Sequence, residues 1–210
     1  MIEVKNPFAL HVIFWWIGMP IIATLLLPYI FGANAFRIST AEVSFFQGLG
    51  VDVSATTERA NTWFKTMFVD TGLVSLFQSS FNLPTLEMKN PLQVTAKEIT
   101  SDWSDGLWNL LFRAFWRISA LWPIYVAGVV CFVVPSFVDG LATRSIKKYN
   151  FKVHNPLIFS VSTHFAAMIA GLAIYIPFLP VSLSAVYIGM FFIALAGSVW
   201  VLAANFQSGV

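Results

Sequence analysis

Catalysis or metal binding in this chain would have to draw on three histidines, one cysteine and ten carboxylates. Their spacing does not assemble them. His11, His154 and His164 are far apart, and no HExxH or paired-carboxylate pattern connects them. Cys131 stands alone in an apolar run, where a small buried hydrophobe is its simplest role. No GxxxxGK[ST] or GxGxxG phosphate loop occurs, so any nucleotide-driven work is expected to be done by another chain. The expectation is a protein without catalytic residues, metal or cofactor, and not an enzyme. His164 is the one open point of this kind. An ionisable group in an apolar helix is either functional or, more simply, a neutral imidazole bonded to Ser160 or to a neighbouring helix.

The cations are arranged more tellingly than the acids. Four of the twelve Lys and Arg, namely Arg144, Lys147, Lys148 and Lys152, fall in residues 139–156, between two long apolar runs. Basic residues in short loops beside membrane helices stay on the cytoplasmic side, so this stretch sets the topology. Asp139 is placed to cap or end the preceding helix, Gly140 to allow a left-handed or open turn, and Arg144 to pair with Asp139 or with lipid headgroups. The loop touches acidic lipid, or it docks a cytosolic partner. A second pair, Arg113 and Arg117, lies four residues apart on one helical face with Trp108, Trp116 and Trp122 around it. That pattern suits anchoring at the membrane interface by snorkelling arginines; an ion pair with a partner, or with Asp102 and Asp105, is the alternative.

The elements that carry these residues follow from composition. The chain is 58% hydrophobic and 10% charged, with 21 Phe and 8 Trp, against roughly 25% charged residues in a soluble domain. It reads as an all-α membrane protein of four transmembrane helices, with a helical periplasmic segment between helices 1 and 2. Residues 1–31 hold the amino terminus and helix 1, with a kink expected near Pro20. Ala33-Asn34-Ala35 looks like a signal-peptidase site, but the apolar core is too long and Lys5 stands alone before it, so the span is read as retained. Residues 32–105 are polar and rich in turn signals, with a helix start near Thr56 and an aromatic face of Trp63, Phe64, Met67, Phe68 and Phe77. That face lies in the membrane interface, packs on the spans, or meets a partner. Thr95–Asp105 suits a second short helix. Residues 106–138 form a protruding helix that becomes helix 2, with Pro123 and Pro135 inside it, and 139–156 the basic loop. Residues 157–210 form a helix 3–helix 4 hairpin and tail, turning at Pro177–Pro180. Ser182, Ala185, Gly189, Ala196 and Ala203 make a small-residue seam for close helix packing, with a homo-oligomer contact as its competing use. Counting outward from the basic loop places both termini in the cytoplasm. The net charge of +2 gives no reason to expect direct nucleic-acid binding.

The run Phe137-Val138-Asp139-Gly140-Leu141, followed by Arg144 and Lys147-Lys148-Tyr149 and then by a new span, resembles a known family. It is similar to the four-span inner-membrane proteins of integrating conjugative elements and H-type plasmids that share a VDGL signature, the TraJ-type proteins found with the type IV coupling ATPase. The resemblance implies a bacterial inner-membrane, non-enzymatic component of conjugative DNA transfer by type IV secretion. Its partners would be the coupling ATPase or other secretion-channel proteins, with the lipid bilayer around it. A small membrane channel or transporter subunit is the alternative, with His11, Ser160, Thr163 and His164 as lining groups.

Overall fold

The computed structural model describes residues 8–81, 91–149 and 156–206, and no strand occurs among them. Seven helices are named here in chain order: α1 Phe8–Phe31, α2 Thr40–Gly48, α3 Val53–Phe64, α4 Leu73–Phe81, α5 over 91–149, α6 Pro156–Tyr175 and α7 Ala185–Ala204. Four stretches are long and apolar enough to cross a bilayer, Phe8–Phe31, Thr100–Ile146, Ile158–Phe178 and Ala185–Ala204. The chain is thus a four-span helical membrane protein, as its composition implies. The turn signals Leu83-Pro84 and Asn90, together with Lys152, His154 and the tail Gln207–Val210, lie outside the described residues, and Pro91 opens α5.

The prolines act on helix form in a specific way. α1 carries a π-helical turn at Phe14–Gly18, just before Pro20, and α5 carries one at Val129–Val133, just before Pro135. Proline offers no N–H to the carbonyl four residues back, and a wider turn reroutes the ladder. Met19 N–H accordingly donates to the Phe14 carbonyl. Near Pro20, where a kink is expected, α1 carries this π turn.

The described chain divides into two compact units. One comprises Pro20–Leu121 with Pro177–Ser182. Here α1 ends at Gly32, whose φ of 69° turns the backbone into a conformation few other residues adopt, and whose N–H returns to the Pro28 carbonyl at 3.0 Å. Ser39 Oγ caps α2 by accepting from Glu42 N–H, and Asp52 caps α3 by accepting from Ala55 N–H at 3.0 Å. The Ser54 hydroxyl and the Ala55 amide hold the Asp52 carboxyl below its usual range. α3 begins at Val53, three residues before Thr56, because Asp52 supplies the cap. The aromatic face packs on α5. Phe64 meets Trp108 and Phe112, Phe68 meets Trp108 and Phe115, and Phe77 meets Trp103 and Trp108, all at ring separations of 5.6–6.1 Å. The segment expected as a short helix over Thr95–Asp105 is instead continuous with α5, which starts at Pro91.

The other unit comprises Met1–Met19, Trp122–Ile176 and Leu183–Val210. Trp15 and Trp16 tie α1 to α6. Their indole N–H groups donate to the carbonyls of Met168 and Ala167 at 3.1 and 2.9 Å, and the Tyr175 hydroxyl donates to the Trp15 carbonyl. α7 packs against both α5 and α6, burying Ile188, Phe191, Phe192, Leu195, Ala196, Ala203 and Ala204. Helix 4 therefore pairs with helix 2 as well as with helix 3, a wider partnership than the expected hairpin.

A buried arginine–glutamate–arginine cluster and the basic end of α5

The first candidate site begins with two guanidiniums on one face of α5. Arg113 and Arg117 are one helical turn apart and only 2% and 0% exposed, and Glu42, from the first turn of α2, is 0% exposed. Arg117 grips the carboxylate with two donors, Nε to Oε1 at 2.6 Å and Nη2 to Oε2 at 3.0 Å. Arg113 Nη2 reaches the same Oε2 at 2.9 Å. Of the other donors, Arg113 Nε is buried without a hydrogen-bond partner among the described residues, and the rest described go to backbone. Arg113 Nη1 donates to the Ala35 carbonyl at 2.8 Å, Arg117 Nη1 to Leu179 at 2.6 Å, and Arg117 Nη2 to Val181 at 2.5 Å. Only the planar, five-donor fork of arginine can serve a carboxylate and two carbonyls together.

This arrangement corrects the interfacial-anchor reading of Arg113, Trp116 and Arg117. Snorkelling side chains end in headgroups or water, whereas these end on Glu42 and on main-chain carbonyls. Trp116 is 1% exposed, edge-on to Phe46, and its indole N–H donates to Thr57 Oγ1 at 3.1 Å. Trp108 packs among Phe64, Phe68 and Phe77, and its indole nitrogen is buried with no hydrogen-bond partner among the described residues. Nor do Asp102 and Asp105, the acids nearest in sequence, take the place of Glu42 in the described ion pairs of either arginine. Glu42 was visible only as the last residue of Ser39-Thr40-Ala41-Glu42, a helix-start pattern whose carboxylate would ordinarily turn back to its own cap. Two arginines there draw it away.

The cluster also accounts for the end of the helix 4 seam. Its carbonyls are held by Arg113 and Arg117 at Val181, and by Arg117 at Leu179, so 179–182 runs as irregular backbone and α7 begins only at Ala185. Ser182 is outside the helix and bonds Ser39 Oγ at 2.8 Å. Within α7, Ala196 and Ala203 are buried, Ala185 is exposed, and a Cβ added at Gly189 would meet nothing within 4 Å. The seam is real at its carboxyl-terminal end and open at the other.

The second candidate site is the end of α5. The stretch expected as a loop stays helical to Tyr149, so Lys147 and Lys148 lie in helical backbone. Asp139 does not cap this helix. Its Oδ2 accepts from Trp200 Nε1 of α7 at 2.6 Å. Gly140 has no left-handed φ; a Cβ there would lie 2.7 Å from the Ala203 Cβ and 2.7 Å from the Trp200 carbonyl oxygen. Arg144 lies over the Phe206 ring, 5.3 Å from its centroid. His164 does as the simpler reading has it, with Nδ1 donating to the Ser160 carbonyl at 2.8 Å and its ring edge-on to Phe8.

No group of three or more His, Cys, Asp and Glu able to hold a metal occurs among the described residues. The chain is a four-span helical membrane protein that buries an arginine–glutamate–arginine cluster. Residues 36–207 match the family described as IncC plasmid conjugative DNA transfer protein DtrJ-like, and with most of its length matched the chain belongs to that family. No curated protein and no solved structure matches the chain. Family membership places the protein in conjugative DNA transfer.

Proposed function

We propose that this protein is a non-enzymatic component of the bacterial inner membrane in type IV conjugative transfer, with both termini in the cytoplasm. Its role is to hold the coupling ATPase, or another protein of the secretion channel, at the membrane. The observation that carries this reading is the basic end of α5, Arg144, Lys147 and Lys148, inside a region that matches a conjugative transfer family. Charges at a helix end beside a span recruit acidic surfaces of partners or lipids. The VDGL resemblance supports the ATPase as the partner.

Replacing Arg144, Lys147 and Lys148 together by Gln tests the contact, with Gln chosen over Glu so that the topology signal is weakened and not reversed. Transfer frequency and copurification of the ATPase are expected to fall by an order of magnitude or more, on the basis that each rim charge governs association, while the amount of protein in the membrane fraction is unchanged. Unaltered copurification and transfer in that variant overturn the docking role. The channel alternative makes a different demand, since it needs His164 as a lining group. His164→Leu is expected to leave transfer at the parental frequency in a mating assay, because its described bond stays within its own helix.

A further inference from the structure

α4 lies in the segment between the first two spans, yet its surface is suited to lipid. From Thr71 to Leu86 the sequence has no ionisable side chain. One face of α4 turns inward, where Phe77 packs on Trp103 and Trp108. The same side carries Leu73, one turn before Phe77, and Leu76 on its flank, which are 46% and 63% exposed, while Ser75 and Ser79 stand on the opposite side; Met67 and Val69 are exposed on the preceding turn. A helix whose apolar side runs past its packed ring to exposed leucines, with uncharged serines opposite, suits the boundary between lipid and water.

The hydroxyls agree with this. Thr71 Oγ1 donates to the Met67 carbonyl at 2.8 Å, Ser75 Oγ to Gly72 at 2.8 Å and Ser79 Oγ to Leu76 at 2.9 Å. Each is satisfied within three or four residues of its own backbone, so the polar side of α4 does not depend on outside partners for these hydroxyls. α4 is also continuous with a membrane surface inside its own unit. Trp103, against which Phe77 packs, donates its indole N–H to the Leu25 carbonyl at 2.9 Å. Leu25 belongs to the first span, whose Ile21, Leu25, Leu26 and Tyr29 are exposed and apolar. Trp103 therefore ties α4 to a lipid-facing helix.

We infer that α4 is an interfacial membrane helix, with Leu73 and Leu76 seated among the acyl chains of the bilayer that surrounds the first span. Its nine residues rise about 14 Å, less than half the roughly 30 Å hydrocarbon thickness, so it lies in one leaflet and does not cross. The segment between spans one and two is then partly membrane-embedded.

Single-cysteine labelling of the full-length protein tests this. In a Cys131→Ser background, Leu73→Cys, Leu76→Cys, Glu58→Cys and Val130→Cys variants carry an NBD fluorophore and are reconstituted in phosphatidylethanolamine–phosphatidylglycerol vesicles. The expected result is that labels at 73 and 76 are quenched by doxyl-labelled lipid as the label at 130 is, and are quenched by aqueous iodide severalfold less than the label at 58. Iodide quenching at both 73 and 76 equal to that at 58, with no lipid quenching, overturns the inference and leaves a protein partner as the cover for this face. Two positions guard against a local disturbance by either label.

Discussion

Replacing Arg117 by Met is expected to destabilise the protein by about 3–5 kcal/mol, the usual consequence of removing one partner from a buried ion pair. The substitution strands the Glu42 carboxylate with one guanidinium and releases the carbonyls of Leu179 and Val181 from Arg117. Each of the three residues leaves a different remainder, and the remainders predict an order. Arg113→Met leaves Arg117 gripping Glu42 with two donors, where Arg117→Met leaves only the single bond from Arg113, so Arg113→Met is the mildest. Glu42→Gln leaves two buried guanidiniums facing a neutral amide, so it is at least as severe as Arg117→Met. Arg117→Lys keeps the charge and still loses most of the effect, because a single ammonium cannot reach a carboxylate and two carbonyls in a fork. The measurement is the denaturation midpoint of the purified protein in detergent for all four variants. Equal and small losses, below about 1 kcal/mol, are what exposed charges give, and they would return the arginines to the role of headgroup anchors.

That cluster marks where sequence reasoning stopped. Four spans were legible because the bilayer sets a length and excludes charge, and both constraints are written locally in Phe8–Phe31 and Ala185–Ala204. The aromatic face of α3 and α4 was legible as a face, since helical spacing is local; its partners on α5 were not, because nothing near Phe64 or Phe77 names Trp103 or Trp108. Arg113 and Arg117 were seen to share a face, but the choice between headgroup and Glu42 turns on a residue 71 positions away from Arg113. Gly140 failed in the opposite direction. Glycine beside Asp139 after an apolar run reads as a helix end, and only the neighbour α7 reveals that the missing side chain makes room for Ala203 and Trp200. Long-range partners decided the misreadings of Arg113, Arg117 and Gly140, whereas the start of α3 was missed for a local reason, the Asp52 cap.

Gly140 therefore supplies the second large effect. A Cβ at this position meets the Ala203 Cβ and the Trp200 carbonyl oxygen at 2.7 Å each, well inside contact distance, and one of the two obstacles is backbone that has no rotamer to change. Forcing α5 and α7 apart there also lengthens the bond from Trp200 Nε1 to Asp139, so packing and hydrogen bonding fail together. Gly140→Val is expected to cost about 1–3 kcal/mol, the range for overpacking a close interface, and Gly140→Ala less. Tolerance across substitutions separates this role from that of a turn. A left-handed turn accepts Asn more readily than Ala, because Asn enters that conformation easily. A helix crossing accepts Ala more readily than Asn, because volume decides and small residues let backbones approach. The midpoints of the Ala, Asn and Val variants in detergent should fall in that order. Ala203→Gly removes one of the two clashing groups and should restore part of the Gly140→Ala loss while the Trp200 carbonyl retains the rest. A Gly140→Asn protein more stable than Gly140→Ala would remove the α5–α7 crossing as the reason this glycine stands beside Asp139.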